Sequence, residues 1–477
     1  MQNRAFGKSL FVVVFSRIIS LISSIVVGFV LPKILSVTDY GFYKVFTLYV
    51  AYTALLHLGF VDGILLKVSG MKYSDLNLQK MRTYTRFFAT LEMFVFLVML
   101  LVGVLVADGE YLFILVMLAV NMVFVNITTY YQFVSQAIQR FGEYSVKNIA
   151  ISVIKTFFVL VLLLLTVGEV INVSYRVYLI GLNLLDFSIM IWYIAIYRDI
   201  TFGKGVAIET VKGDIASIFK LGIVQTLAYQ VSHLILALDR QFVSVLYSTE
   251  IFAVYSFAYN IVSMISTMVS SISVVLLPML KNRAYEVVVR SYKKCLTVVA
   301  VIAAGSLLCF FPLARFVEWF LPEYYDSIRY IAIVLTTYLF TSSITVVMFT
   351  IYKVYDMNLV FFKDNCLILV LGFACNVVAY YFFDSPSAIS YASLIVTMLW
   401  FLLSGVRLRY KTGASVVREF IYLFAIGVGF LIIINLFGFA IMGFVVYFIW
   451  AFICTTVFYN DVIRECIKTL PKRPAHN

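Results

Sequence analysis

The chain has 477 residues, 63% of them hydrophobic and 13% charged, with a mean hydropathy of +1.02 and a formal net charge of +12. Ordinary soluble domains carry about 25% charged residues, so this composition excludes a soluble protein. Apolar runs of the ~20 residues that a transmembrane helix needs recur along almost the whole length and leave no room for a soluble domain between them.

In chain order about fourteen spans are predicted, at 9–35, 41–66, 85–107, 111–138, 145–167, 174–197, 216–246, 250–279, 294–317, 327–352, 360–383, 387–406, 417–437 and 439–460. The predicted fold class is an all-α polytopic membrane protein. The first run is too long for a signal-peptide core and lacks a small-residue cleavage site, so it reads as a retained helix. A short link near Gly438 separates the last two.

Most of the 36 Lys and Arg fall in alternate connections, 67–86, 140–147, 198–220, 281–294, 353–363 and 407–418. Both ends are basic as well, through Arg4 and Lys8 at one and Arg464, Lys468, Lys472 and Arg473 at the other. This is the positive-inside pattern. It accounts for the net charge without nucleic acid and places both termini in the cytoplasm. The opposite connections, 108–110, 168–173, 248–250, 384–386 and the larger 318–329 around Pro322, are too short to fold a catalytic domain. The six cysteines (295, 309, 366, 375, 454 and 466) lack metal-ligand spacing and read as small apolar fillers. No metal site and no cofactor are expected.

One echo organises the chain. SVTDYGFY at 36–43 lines up with STEIFAVY at 248–255, and the two follow the first and the seventh span, both on the outer side. Two six-span halves of the same orientation fit a parallel repeat about the membrane normal. The expected domains are an N-terminal lobe at 1–200, a cytoplasmic linker at 201–214, a C-terminal lobe at 215–410, and two further helices with a basic tail at 411–477.

Polar groups inside the spans are the candidate site. Arg17 and Lys155 lie about two turns inside the cytoplasmic boundary; they either snorkel to the interface or face a cavity. Asn121, Thr128, Gln132, Ser135 and Gln139 share one side of the fourth span at 100° per residue. In the seventh, Gln225, Tyr229 and Ser232 make a face with Asp239 and Arg240 at its edges. An ionisable pair in a span is expensive unless it faces protein or water. The tenth span is rich in hydroxyls (Thr336, Thr337, Thr341, Ser342, Thr345), which either line a cavity or bond their own helix. His57, Asp62, His233 and Asp186 are buried by sequence, and Asp62 sits between Gly59 and Gly63, which loosen the second span. His57, Asp62 and His233 are candidates for ion coupling; a lone buried His is more often a packing residue. Nucleotide-binding and hydrolytic motifs are absent, so an enzyme reading has no constellation to stand on.

LSVTDYGFYKVFTLY after the first span, HLGFVDGILLK at the end of the second and ALDRQFVSVLYSTEIFAVYSFAYNI across the seventh and eighth resemble the polysaccharide flippases of the multidrug/oligosaccharidyl-lipid/polysaccharide exporter superfamily. The resemblance covers the first twelve spans in order. It departs at Gly222-Ile223, where relatives often carry a proline, so a kink there is open. The resemblance implies an O-antigen-type flippase in the bacterial cytoplasmic (inner) membrane. Such a protein moves undecaprenyl-diphosphate-linked oligosaccharide to the outer leaflet by alternating access. Arg17, Lys155 and Arg240 would face the diphosphate, with the Asn, Gln, Ser and Thr stripes against the sugars. The implied partners are the lipid-linked oligosaccharide, membrane lipid and a polysaccharide polymerase or assembly protein. Two alternatives are a cation-coupled drug antiporter of the same superfamily, which would depend on acidic or His residues, and a membrane glycan polymerase, which would need a larger outer loop.

Overall fold

A computed structural model describes residues 2–280 and 283–469; the side chains of 2–14, 141, 144, 268, 270–279 and 462–469 are outside it. The side chains of Arg4, Lys8, Arg464, Cys466 and Lys468 therefore lie outside the described ones, and Lys472 and Arg473 lie outside the described residues. Among those described, every long element is a helix and no strand occurs. The five described cysteines are free.

The chain divides into two compact units. The first comprises Met1–Ser256 with Asn358–Leu369. It holds α1 (Gln2–Ile34), α2 (Val37–Thr53), α3 (Phe60–Val68), α4 (Leu78–Val106), α5 (Gly109–Ala137), α6 (Phe141–Val167), α7 (Tyr175–Ile196), the short α8 (Arg198–Thr201), α9 (Ile208–Leu246) and the start of α10 (Thr249–Leu280). The second comprises Phe257–Met357 with Val370–Asn477. After the rest of α10 it holds α11 (Tyr285–Ser306), α12 (Phe310–Phe320) and α13 (Ser327–Ser342), which runs through a π-helical stretch into α14 (Phe349–Val354). It also holds most of α15 (Asn358–Phe383), then α16 (Pro386–Thr412), α17 (Val417–Phe437) and α18 (Ile441–Thr469).

Among the described residues, 12 helices are long and apolar enough to cross a membrane. They coincide with the predicted spans except the second and the eighth. The eighth falls in α10, an unbroken helix partly outside the described side chains. The second corrects the prediction, because it is not one helix. It stops at Thr53 and restarts at Phe60, with Leu58 and Gly59 in the left-handed region at φ 51° and 85°. Glycine enters that region without a Cβ penalty, and here the backbone of α9 also comes close: a Cβ on Gly59 would lie 2.5 Å from the amide nitrogen of Ile223.

The α2–α3 pair is joined to α9 along its length. At one end the echoed segments build the same capped helix start. Ser36 Oγ accepts the Asp39 N–H at 3.1 Å and Ser248 Oγ accepts that of Ile251 at 3.3 Å. The two starts meet where Thr38 donates to Glu250 at 2.7 Å. Further in, Gln241 donates to the Tyr49 hydroxyl at 2.9 Å and Gln230 to the Ala51 carbonyl at 3.3 Å. Thr226 then donates to Asp62. Gly222 takes the place where a proline was conceivable, and α9 runs unbroken through it.

At the other end Asp214 accepts from Lys67 Nζ at 2.8 Å, Lys80 Nζ at 3.0 Å and Tyr84 Oη at 2.8 Å, tying α3, α4 and α9 together. The segment before it lies on α4: Arg82 donates to the Asp199 and Lys204 carbonyls and Thr83 to that of Val206. Asp214→Asn keeps the shape but removes the charge facing two ammonium groups. These side chains are partly exposed, so the expected loss is about 1 kcal/mol. It should show as a lowered melting temperature at low salt that converges with wild type as salt is raised; equal melting at low salt would refute the latch.

In the second unit the hydroxyls of α13 and of the π-helical stretch after it bond their own helix. Thr336 donates to the Ala332 carbonyl at 2.9 Å, Thr337 to Ile333 at 3.1 Å and Thr345 to Thr341 at 2.7 Å. The stripe predicted as one of two alternatives is thus a set of satisfied backbone contacts. α18 packs on α11 through Tyr447, which donates to the Ala304 carbonyl at 2.7 Å, and on α17 through Trp450, which donates to that of Ala425 at 3.2 Å.

Candidate functional site

The candidate site is in the first unit, where α2, α6 and α9 each carry a half-buried cation: Lys44, Lys155 and Arg240. Lys44 lies within electrostatic reach of both others. Its ammonium sits 5.0 Å from the Tyr40 ring and 5.1 Å from the Tyr43 ring, so aromatic faces supply part of the solvation that water would. Among the described residues neither Lys44 nor Lys155 forms an ion pair. Lys44 is repelled by both of the other cations, and a mobile anion would relieve that repulsion.

Arg240 donates to the Leu236 carbonyl at 3.4 Å. Its neighbour Asp239 is buried and does a different job, accepting the Tyr255 hydroxyl at 2.7 Å and the Arg240 N–H at 2.7 Å. The adjacent pair is therefore split between a cation of the cluster and an anchor for the start of α10. His233 lies within reach of the Arg240 charge and packs its ring 4.5 Å from that of Tyr229.

A second polar line runs beside the cluster on α5, α6 and α7. Asn121 is buried and donates to Asp186 at 2.8 Å and Asn183 at 3.1 Å. Asp186 feels the charges of Lys155 and Lys147, and Lys147 donates to Gln132 at 2.8 Å. Gln139 corrects the predicted stripe: it lies beyond the end of α5, exposed, at φ 62°. The α5 face thus ends one turn earlier than helical spacing implies.

The remaining predicted residues scatter. Arg17 is exposed on α1. α1 and α6 run parallel, pinned by the Ser20–Ser152 hydroxyl pair at 3.0 Å and the Thr156–Ser23 bond at 2.7 Å. In that register Arg17 precedes both contacts while Lys155 lies between them, an offset of about 9 Å of helix rise. Gln225 is half-buried on α9 beside Thr226. His57 is buried in the α2–α3 break, its Nδ1 accepting the Gly59 N–H at 3.2 Å, while Asp62 is held by Thr226. These two belong to the seam between α3 and α9. Among the described residues no group of three or more His, Cys, Asp or Glu is placed to hold a metal.

Sequence reasoning missed three charged residues. Lys44 follows the polar segment 36–41 and reads as an interfacial lysine; only the approach of α6 and α9 makes it part of a cluster. Lys147 reads as part of a basic connection. Glu92 had a usable signal, being an acid in the apolar stretch 87–107. It is fully buried on α4 and accepts from Asn126 at 3.0 Å.

No protein-family model matches the sequence, and no curated protein matches it. Solved structures do. A lipid II flippase, MurJ, in an inward closed conformation is similar over 95% of this chain and 99% of its own, with a TM-score of 0.66 and 14% identity. A variant of the Vibrio cholerae MATE transporter VcmN is similar over 86% and 97%, with a TM-score of 0.56 and 14% identity. A multidrug resistance MATE family transporter of the MOP superfamily, inward-facing, is similar over 84% and 96%, with a TM-score of 0.55 and 14% identity. At this identity the likeness is one of fold.

Proposed function

We propose that this protein is a flippase that carries a polyprenyl-diphosphate-linked oligosaccharide, of the O-antigen type, from the cytoplasmic to the outer leaflet of the bacterial cytoplasmic membrane. The observation that carries the reading is the gathering of Lys44, Lys155 and Arg240 from three helices of one unit, on a fold shared with a lipid II flippase over nearly its whole length. A diphosphate brings roughly two negative charges, and moving it bare through hydrocarbon would cost far more than one buried side chain. A cation cluster that already pays for its mutual repulsion lowers that barrier without adding a new one. Lys44, Lys155 and Arg240 face the diphosphate in this reading. Asn121, Gln132 and Gln225 contact sugar hydroxyls weakly, and the lipid tail stays in the bilayer. Two lobes, 1–200 and 215–410, alternate access, with both termini cytoplasmic.

An antiporter for small cations is the second reading, favoured by the fold shared with MATE transporters and by the buried carboxyls Glu92 and Asp239. Reconstitution into liposomes separates the two. With an undecaprenyl-diphosphate oligosaccharide labelled on its sugar, the flippase reading expects the label to reach the opposite leaflet with the lipid chemically unchanged. Expulsion of cationic dyes without any lipid transfer, under every ion gradient tried, would replace it with the antiporter.

A further inference from the structure

Glu92 has no part in the diphosphate site, and its surroundings are unusual for a carboxyl. It is 0% exposed, six residues along α4 from Arg86, which places it about 9 Å of helix rise inside the cytoplasmic boundary. Oε2 accepts one hydrogen bond, from Asn126 Nδ2 at 3.0 Å; Oε1 has no partner among the described residues. The same Asn126 amide reaches the Thr53 carbonyl at 3.4 Å, where α2 ends and the break begins.

The charged and titratable groups on the elements packed around it are committed elsewhere: Arg86 donates to the Gly203 carbonyl, the Tyr131 hydroxyl pairs with Thr201, and Tyr52 on α2 packs edge-on against Tyr49. Lys80 and Tyr84, on its own helix, and Lys67 on α3 bond Asp214 at the start of α9. Asp62 on α3 is held by Thr226 and His57 in the break by Gly59. Tyr130 on α5 shares a hydrogen bond with Thr85 at 2.9 Å. On α8, Asp199 holds Arg82 through its carbonyl, and Arg198 lies 3.9 Å from the Asp199 carboxylate. Among the described residues none forms an ion pair with Glu92. One turn toward the cytoplasm, Phe88 stacks with Phe60 at 5.3 Å and with Tyr130 at 5.3 Å, all fully buried, and this aromatic layer separates the carboxyl from the Asp214 latch.

An ionised carboxylate that is fully buried with one amide donor and, among the described residues, no counter-ion is the arrangement that proteins avoid by neutralising the group. We propose that Glu92 is a proton-binding site within the membrane, loaded in this conformation and emptied when the α2–α3 break and the Phe60–Phe88–Tyr130 layer part. On emptying, the carboxyl O–H bond breaks and the proton passes to water admitted from the cytoplasmic side. The carboxylate left behind needs that water, so the closed seam is re-formed only after a proton returns. The site stands on the geometry alone; its link to transport rests on the flippase reading.

Infrared difference spectroscopy of the full chain tests the site directly. Wild type at neutral pH is expected to show a carboxylic-acid C=O band that Glu92→Gln removes and Asn126→Leu shifts upward by deleting the donor. Superimposable wild-type and Glu92→Gln spectra would overturn the site, and the Asn126→Leu shift keeps the test decisive should the first variant fail to fold. In liposomes carrying the labelled lipid-linked oligosaccharide, a transmembrane pH gradient is expected to change wild-type transfer by about tenfold, an ordinary coupling between sites, and to leave Glu92→Gln unaffected. Equal responses of the two proteins would overturn the coupling. A band that behaves as expected in a protein that moves no lipid would leave the proton site standing and remove the flippase reading instead.

Discussion

Replacing Lys44, Lys155 and Arg240 together by methionine is expected to lower lipid transfer by about 100-fold while leaving the protein as stable as wild type or more so. Two unit charges a few ångströms apart interact by about 4 kcal/mol at an effective dielectric near 20. Residual hydration and the flexibility of both partners reduce this to about 1 kcal/mol per cation. Three such losses raise the barrier by about 3 kcal/mol, which is about two orders of magnitude in rate. The stability arm separates a binding role from a structural one. Lys44 lies within reach of two like charges and, among the described residues, Lys44 and Lys155 have no ion pair to lose, so the repulsion relieved at Lys44 offsets the attraction that Asp186 loses with Lys155. Methionine retains most of the aliphatic stem and its packing. Transfer at the wild-type rate would remove the cationic site, and a large fall in melting temperature would make these residues structural.

Gly222→Ala is expected to break the seam between α3 and α9. A Cβ at 222 would stand 1.8 Å from the Gly59 carbonyl oxygen and 2.4 Å from the Gly63 nitrogen. Both are backbone atoms and neither can rotate away. Overpacking of this kind costs about 1–3 kcal/mol, against a gain of up to about 1 kcal/mol from alanine's helix propensity. The clash wins, and α3 must move off α9. Gly305→Ala on α11 is the control, since nothing lies within 4 Å of its Cβ; it should be neutral or slightly stabilising. Melting of the two variants side by side checks the difference. Because Asp62–Thr226 and the Asp214 latch lie on the same seam, Gly222→Ala should also make cysteines introduced along α3 accessible to water-soluble reagents. A Gly222→Ala protein that melts with wild type and stays unlabelled would show that the seam yields without cost.

Much of the architecture was legible because a bilayer imposes length and composition directly on the chain. The spans, their alternating basic connections and the echo at Ser36 and Ser248 are all one-dimensional signals, and the echo has a three-dimensional counterpart in two identically capped helix starts that touch through Thr38 and Glu250. Arg240 and Lys155 stood out because a charge in an apolar run is conspicuous without knowledge of its neighbours. Glu92 was equally conspicuous; it lacked a companion in the sequence, and its companions, Asn126 and the end of α2, come from elsewhere in the fold.

The break in the second span shows the limit of the one-dimensional signal. Hydropathy runs unbroken from Ala54 to Gly59, so composition reads one helix; left-handed backbone at Leu58 and Gly59 is stabilised by the close approach of α9, which no local pattern encodes. The same holds for Gln139, where the turn into α6 overrides helical spacing. By itself the sequence determined that this is a many-helix membrane protein and which charges are costly to bury, because the hydrophobic solvent acts on each residue independently. Which charges come within reach of one another was decided only by tertiary structure, since electrostatic and steric partners are chosen by distance in space, and Lys44 meets the charges of Lys155 and Arg240 only once the fold has brought their helices together.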